Sequence, residues 1–174
     1  MNAAPLIARM ERMAPTVRAL AAGLSRDEAV HKPPSGAWSI LEIVNHLADE
    51  DRDDFRYRLR STLEDPKREW PKTDPEGWAV ERKYAEQDLA ESLARFERER
   101  AESLAWLKSL RNPDWSRAYF HPKVGPVTAG ELMVSWAAHD ALHVRQIAKR
   151  LFELAAKEGA AEGFGTRYAG EWGA

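Results

Sequence analysis

The chain has 174 residues, of which 44% are hydrophobic and 31% are charged, and its formal net charge is −2. This composition is typical of one soluble globular domain over residues 1–174, and it excludes bulk electrostatic attraction to nucleic acid or to an anionic membrane. The absence of cysteine excludes disulfides, thiolate nucleophiles and cysteine-based zinc sites. The sequence has no signal-peptide apolar run and no stretch that spans a bilayer, so we expect a cytoplasmic protein without nucleic-acid or membrane partners.

The first predicted helix covers about residues 2–24, where apolar residues recur at steps of four and three. Pro15 lies within this stripe, and we expect it to kink or divide the helix. Ser25 and Glu28 then form a capping-box pattern, which predicts a short helical turn before the next pair of prolines.

A second long helix is predicted over residues 39–63, because Ser39 and Glu42 form another capping box and an apolar stripe follows them. The connection after it, residues 64–78, carries three prolines and a glycine and is predicted to be a loop. A third long helix is predicted over residues 80–110, where leucines form the inner stripe and charged residues cover the other faces.

The last predicted helix covers residues 129–154 and begins at a third capping box, formed by Thr128 and Glu131. The preceding residues 111–126 are predicted to be a loop. The tail, residues 159–174, is rich in glycine, but three aromatic side chains are expected to hold it against the rest of the chain: Phe164, Tyr168 and Trp172. Since strand-type alternation is scarce, the sequence predicts an all-α four-helix bundle with long inter-helix connections.

Three histidines lie on or beside the apolar faces of these helices. His139 and His143 are one turn apart on the last helix and follow its core stripe. His46 lies at the edge of the apolar stripe of the second long helix. If the two helices are neighbours, three neutral imidazoles meet inside the bundle, and this ligand set suits Zn²⁺, Ni²⁺ or Fe²⁺ and leaves one coordination position open. The alternative is that they are hydrogen-bonded core histidines.

Four further residues are candidates for the site. Glu50, one turn after His46, is interpreted as a general base, a fourth ligand or a hydrogen-bond acceptor behind the ligands. Asn45 and Gln146 are candidates for orienting the substrate or the histidine rings, although polar contacts within the bundle explain them equally well. Trp136, one turn before the histidine pair, is predicted to form the wall of an apolar pocket.

The other acidic residues near the histidines have simpler interpretations. We expect Asp51, Asp53 and Asp54 to belong to a solvated acidic face rather than to a site. Asp140 follows a histidine in sequence but points about 100° away from it around the helix, so we expect it to pair with an arginine instead.

Two segments resemble a known family. Residues 38–51, WSILEIVNHLADED, resemble the second-helix signature of the DinB-like superfamily, and residues 120–147, FHPKVGPVTAGELMVSWAAHDALHVRQI, resemble its fourth-helix signature. The order and spacing match the YfiT-like branch best. This resemblance implies a bundle of DinB/YfiT-like type in which His46, His139 and His143 bind a first-row metal, usually Zn²⁺ or Ni²⁺, and it implies a homodimer.

The resemblance also implies a function. Family members with known activity use a metal and a low-molecular-weight thiol, so the expected activity is an S-transferase that conjugates bacillithiol, mycothiol or glutathione to a small electrophilic substrate. One alternative is a metal-dependent hydrolase that uses metal-bound hydroxide at the same site. The other is a non-catalytic, stress-related module in which a fourth protein ligand closes the metal site.

Overall fold

The computed structural model describes residues 1–170 and Trp172. The described residues form seven α-helices, a π-helical segment, a 3₁₀ turn and one β-hairpin. In chain order these are α1 (Ala4–Ala21), α2 (Arg26–Val30), α3 (Ile40–Asp49), the π segment (Glu50–Phe55), α4 (Arg56–Glu64), α5 (Pro75–Glu81), the 3₁₀ turn (Tyr84–Glu86), α6 (Leu89–Ser109), β1 (Ala118–His121), β2 (Gly125–Thr128) and α7 (Ala129–Ala161). None of these helices is long and apolar enough to cross a membrane.

Four rods form the bundle: α1, the continuous stretch from α3 through the π segment to α4, α6 and α7. Both α1 and α3 pack against α6 and against α7, so the rods follow the order α1, α6, α3, α7 around the bundle. The expected four-helix bundle is therefore confirmed. The helix that carries His46 is also a direct neighbour of the helix that carries His139 and His143.

The predicted capping boxes at Ser25, Ser39 and Thr128 are all present. Each side-chain oxygen accepts the backbone N–H three residues later, where a glutamate reaches back to the N–H of the cap. Two backbone donors at each helix start are satisfied in this way. Because Ser39 and Thr128 precede α3 and α7, they fix where the helices that carry the histidines begin.

The third long helix starts later than predicted, at Leu89 rather than near residue 80. Asp88 is its N-cap and accepts a hydrogen bond from the N–H of Glu91. Before it, Lys83 adopts a left-handed conformation with a φ of 51°, which separates α5 from the 3₁₀ turn. The sequence pattern missed this interruption because neither proline nor glycine marks it.

The other two long helices also differ from their predicted bounds. The helix α1 is continuous from Ala4 to Ala21, so the expected division at Pro15 is wrong. Pro15 is exposed, and water can hydrogen-bond the carbonyl oxygen that its missing N–H leaves free. The helix α7 continues to Ala161 rather than ending near residue 154, because four alanines follow Leu154 and favour helix.

The segment over residues 111–126, predicted to be a loop, contains most of an antiparallel β-hairpin. Its strands pair Ala118 with Thr128 at one end and His121 with Gly125 at the other. Gly125 has a φ of 80°, a conformation that glycine adopts without steric cost. Strands of four residues give too little alternation for a sequence pattern to reveal them.

The aromatic side chains of the tail do not all hold it in place. Phe164 and Tyr168 are 72% and 102% exposed, so the expectation that they anchor the tail is wrong. Trp172 lies 5.7 Å from the ring of Phe152 on α7. The remaining tail residues at 171, 173 and 174 lie outside the described residues.

A buried layer of polar side chains separates two apolar clusters in the bundle. On α6, Phe96 belongs to one cluster and Leu107 to the other, and Arg100 lies between them. On α7, Ala137 and Ile147 bracket the histidine pair in the same way. The functional candidates and the ionic network described next therefore occupy one level of the bundle.

Arg100 is the centre of an ionic network that joins all four rods. It is 1% exposed and donates to both oxygens of Asp51 on the π segment at 2.8 Å. It also donates to both oxygens of Asp140 on α7, at 2.6 and 2.8 Å, and to the carbonyl of Met10 on α1 at 3.2 Å. The predicted pairing of Asp140 with an arginine is confirmed, whereas the prediction that Asp51 is solvated is wrong.

Replacing Arg100 by methionine should destabilise the fold strongly. The change leaves two buried carboxylates without their cation, and breaking a buried pair in this way costs about 3–5 kcal/mol. Urea unfolding of R100M should show this loss in the free energy of unfolding. The matched control is R98M on the exposed face of the same helix, with an expected change within about 0.5 kcal/mol. Equal stability of the two variants would contradict the role assigned to the network.

Candidate metal centre

Three imidazole rings converge between α3 and α7. The Nε2 atom of His46 lies 3.4 Å from Nε2 of His139 and 3.1 Å from Nε2 of His143. The two α7 histidines are themselves 3.0 Å apart at Nε2. Within the described part of the chain, these three side chains are the group of potential metal ligands that lies close enough together to bind one ion. The structure thus brings together all three histidines named from the sequence.

The spacing of these nitrogen atoms fits a tetrahedral metal ion. Ligand nitrogens bind Zn²⁺ at about 2.0–2.1 Å, which places neighbouring ligand atoms about 3.3 Å apart. The observed separations of 3.0 to 3.4 Å lie close to this value. Three nitrogen donors on one side also leave a fourth position for a ligand from outside the protein.

The charge state of the histidines fits a metal as well. Burial, together with the neighbouring His143, lowers the pKa of His46 to about 2 and that of His139 to about 3. Burial also lowers the pKa of His143. All three rings are therefore neutral near pH 7, which is the form that binds a metal ion.

Neighbouring side chains hold each ring in place. Nδ1 of His143 lies 2.8 Å from Oε1 of Gln146, so this nitrogen carries the proton and Nε2 keeps its lone pair directed at the cluster. The ring of His46 packs on Trp38 at 4.7 Å between centroids. The ring of His139 packs edge-on against Phe55. Such outer contacts orient ligands and strengthen metal binding.

Glu50 lies behind His46 and outside the ligand cluster. Its Oε1 is 3.8 Å from Nδ1 of His46, on the side of the ring away from the converging Nε2 atoms. Burial and the neighbouring Asp54 carboxylate raise the pKa of Glu50 to about 8. At 3.8 Å the two atoms are not hydrogen-bonded, and neither has another partner among the described residues. Of the three roles predicted for Glu50, its position behind the ring is nearest to that of an acceptor for His46. Its assignment as a general base stays a prediction without a supporting contact.

The π segment explains why so many acidic side chains are buried here. Extra residues per turn change the direction in which successive side chains point, and such segments are frequent at functional sites. Asp54 is 9% exposed and pairs with Arg58 at 2.6 Å, so the prediction that it is solvated is wrong. Asp53 remains partly exposed between Arg52 and Arg82, closer to the expectation.

Two other candidates have structural roles. Asn45 is 1% exposed, and its amide donates to the carbonyl of Leu41 and accepts from Arg95, so it does not reach the histidine cluster. Trp136 is also 1% exposed and donates from Nε1 to Asp51 at 2.8 Å. Trp136 is not among the residues that line the cleft described below, and its role as a pocket wall stays a prediction. Trp136 instead supports the site indirectly, by stacking on the Phe55 ring.

A cleft of about 710 Å³ opens beside the histidines. Gln146 and Trp38 line it, and they contact His143 and His46 respectively. This volume lies in the range of small-molecule sites. Of Asn45 and Gln146, the two residues predicted to orient the substrate or the histidine rings, Gln146 is the one that lines the cleft. Trp38 belongs to the helix-opening signature, but the sequence pattern did not predict it as a wall of the cleft.

The fold and the histidine cluster together define a helical-bundle protein with a candidate metal centre. The model of the DinB superfamily matches residues 9–147, and the chain belongs to this superfamily. The family resemblance inferred from the two sequence segments is therefore confirmed. The matched range contains all three histidines.

A curated relative and a solved structure are also similar to the chain. The Bacillus subtilis protein named "Putative metal-dependent hydrolase YfiT" is 25% identical over 122 residues, which are 67% of each chain. The structure of YfiT from Bacillus subtilis, described as an unusual four-helix bundle, aligns with a TM-score of 0.78 at 19% identity and covers 88% of this chain and 87% of that one. The structural likeness establishes the fold. The family and the histidine cluster together indicate a divalent metal, and Zn²⁺, Ni²⁺ and Fe²⁺ stay open as its identity.

Loss of one histidine should remove metal binding. We expect the full chain to bind one equivalent of Zn²⁺ and H143A to bind it at least about 100-fold more weakly, since even changes behind the ligands cost 10–100-fold. The control is H121A, because His121 lies on the β-hairpin outside the cluster. Competition titration against a chromophoric chelator measures both. Unchanged affinity in H143A would refute the ligand assignment.

Gln146 should contribute through the orientation of His143. We expect Q146A to weaken Zn²⁺ binding about 10-fold, because Nδ1 of His143 loses its acceptor. Q146E keeps an acceptor oxygen and should retain wild-type affinity or exceed it. The control is Q87A, an exposed glutamine beside the 3₁₀ turn. If Q146A and Q87A bind zinc equally, the hydrogen bond does not tune the site.

Proposed function

We propose that the protein is a metal-dependent hydrolase in which His46, His139 and His143 bind one divalent ion. The observation that carries this proposal is the convergence of three neutral nitrogen donors with no fourth ligand from the described residues. A structural metal site is normally closed by a fourth protein side chain, whereas a catalytic site keeps one position open. This difference supports catalysis over the non-catalytic module.

The chemistry of the site follows from this donor set. A divalent ion held by three neutral imidazoles supplies a Lewis acid and lowers the pKa of water at the open position. Gln146 acts on the protein side, where its Oε1 accepts from Nδ1 of His143 and fixes that ring. Glu50 lies 3.8 Å from Nδ1 of His46 and makes no hydrogen bond to it. The cleft beside the rings provides space for a small substrate and limits its approach to one side.

Hydrolysis is preferred to thiol transfer because of the relative described above. The Bacillus subtilis protein that covers two thirds of the chain is named "Putative metal-dependent hydrolase YfiT". The S-transferase expected from the sequence uses the same open position for a thiol, so it is retained as an outcome of the experiment.

The experiment compares metal-loaded and metal-free protein on a panel of small esters and amides. We expect hydrolysis above the metal-free rate after loading with Zn²⁺ or Ni²⁺, and its loss in H139A. The control variant H121A should keep the wild-type rate, because His121 lies outside the histidine cluster. A parallel arm supplies glutathione, bacillithiol or mycothiol with monochlorobimane. Thiol conjugation without hydrolysis would favour the S-transferase over the hydrolase. If the metal-loaded protein shows neither activity, the non-catalytic module is the function that remains.

A further inference from the structure

The cleft beside the histidines has a basic wall formed by the part of α7 that follows the metal centre. Arg145, Lys149 and Arg150 all line the cleft, and Glu76 is the acidic residue among the described residues that line it. The remaining lining is largely apolar and includes Trp38 and Leu142. The cleft therefore combines an apolar surface with an excess of positive charge at one end.

Arg150 is unusual among these residues because it is buried. It is 7% exposed, and neither Nε nor Nη1 has a hydrogen-bond acceptor among the described residues. Glu153 lies 3.1 Å from Nε, but its Oε2 is also without a hydrogen bond, so the two groups are close without being aligned. Buried guanidinium donors that lack an acceptor are costly, and a ligand or water commonly supplies the missing acceptor.

The position of Arg150 relates the basic wall to the metal centre. His143 and Arg150 are seven residues apart on one helix, which corresponds to a rise of about 10 Å. Gln146 lies between them and touches both environments, because it contacts His143 and lines the cleft. A small molecule in the cleft can thus contact both Gln146, which is hydrogen-bonded to His143, and Arg150.

We propose that Arg150, assisted by Lys149 and Arg145, binds an oxyanion group of the substrate in this cleft. The planar guanidinium fork matches a carboxylate or a phosphate, and the apolar wall at Trp38 and Leu142 matches an uncharged body. This inference rests on the proposed function. It restricts the substrate to small anionic molecules whose reacting group lies about 10 Å or less from the anion.

Matched probes test the subsite without requiring turnover. Calorimetry on the full chain, metal-free and Zn²⁺-loaded, compares 3-phenylpropionate with the uncharged 3-phenylpropionamide. The metal-free protein excludes carboxylate binding to the ion. We expect the carboxylate to bind at least about 10-fold more tightly than the amide in both forms of the protein. A hydrogen bond to a buried charged group contributes a binding free energy of about this size. Phenyl phosphate is the third probe, and tighter binding than the carboxylate assigns a phosphate group.

Variants identify the residue responsible. R150M should remove the preference for the carboxylate and change the affinity for the amide by no more than about twofold. R150K should restore part of the preference for the carboxylate, because lysine keeps the positive charge but lacks the planar guanidinium group. The control is K157M, an exposed lysine further along α7 and outside the cleft, which should keep the preference. Equal binding of the two probes to the wild type, or the same preference in R150M and K157M, would overturn the proposal.

Two further comparisons allow the proposal to be tested even if R150M does not fold or the protein has no hydrolase activity. If R150M does not fold, as judged by its circular dichroism, K149M and R145M replace it, because both residues are exposed; an unchanged preference in both would overturn the subsite. Activity measurements distinguish a failure of the subsite from a failure of the proposed hydrolase. Equal kcat/KM for anionic and neutral esters would refute the subsite and retain the hydrolase, whereas selective carboxylate binding without any hydrolysis would retain the subsite and refute the hydrolase.

Discussion

The guanidinium of Arg100 is the constraint on which the geometry of the bundle depends. It lies between Asp51 and Asp140, which come from different rods, and each carboxylate is bound through two hydrogen bonds. Such paired bonds fix orientation as well as distance, so they set the rotation of the π segment and of α7 about their axes. Since Asp140 is adjacent to His139, the rotation that satisfies Arg100 also directs both α7 histidines toward α3. An ionic network that is separate from the histidine cluster therefore positions it.

The π segment is the local feature that lets one short acidic run serve several partners. Asp49, Glu50 and Asp51 follow one another in sequence and are 0%, 5% and 1% exposed. Asp49 pairs with Arg95 on α6, Glu50 faces His46, and Asp51 binds Arg100. Consecutive residues can all be buried only where packed elements surround the helix on several sides, and this run lies in the polar layer between the two apolar clusters.

The two sides of the histidine cluster differ in charge. Behind the ring of His46, on its Nδ1 side, lies Glu50. In front of the rings, the cleft carries the basic side chains of α7, including Arg150. The carboxyl group of Glu50 thus lies within the bundle, whereas the basic side chains lie on the open side, where we have proposed that an anionic group binds. The proposed hydrolysis and the proposed anion subsite both use this open side of the histidine cluster.

The sequence by itself determined the four-helix bundle, the three capping boxes and the identity of the three histidines, because helical periodicity and capping are local properties of ten to twenty residues. It also predicted the arginine partner of Asp140, since a helical wheel shows where that side chain points. It did not reveal the burial of Asp51, the outer position of Glu50 or the two guanidinium nitrogens of Arg150 that lack an acceptor among the described residues. Only the tertiary structure decided these, because whether a polar side chain faces water or a partner depends on which rod packs against it.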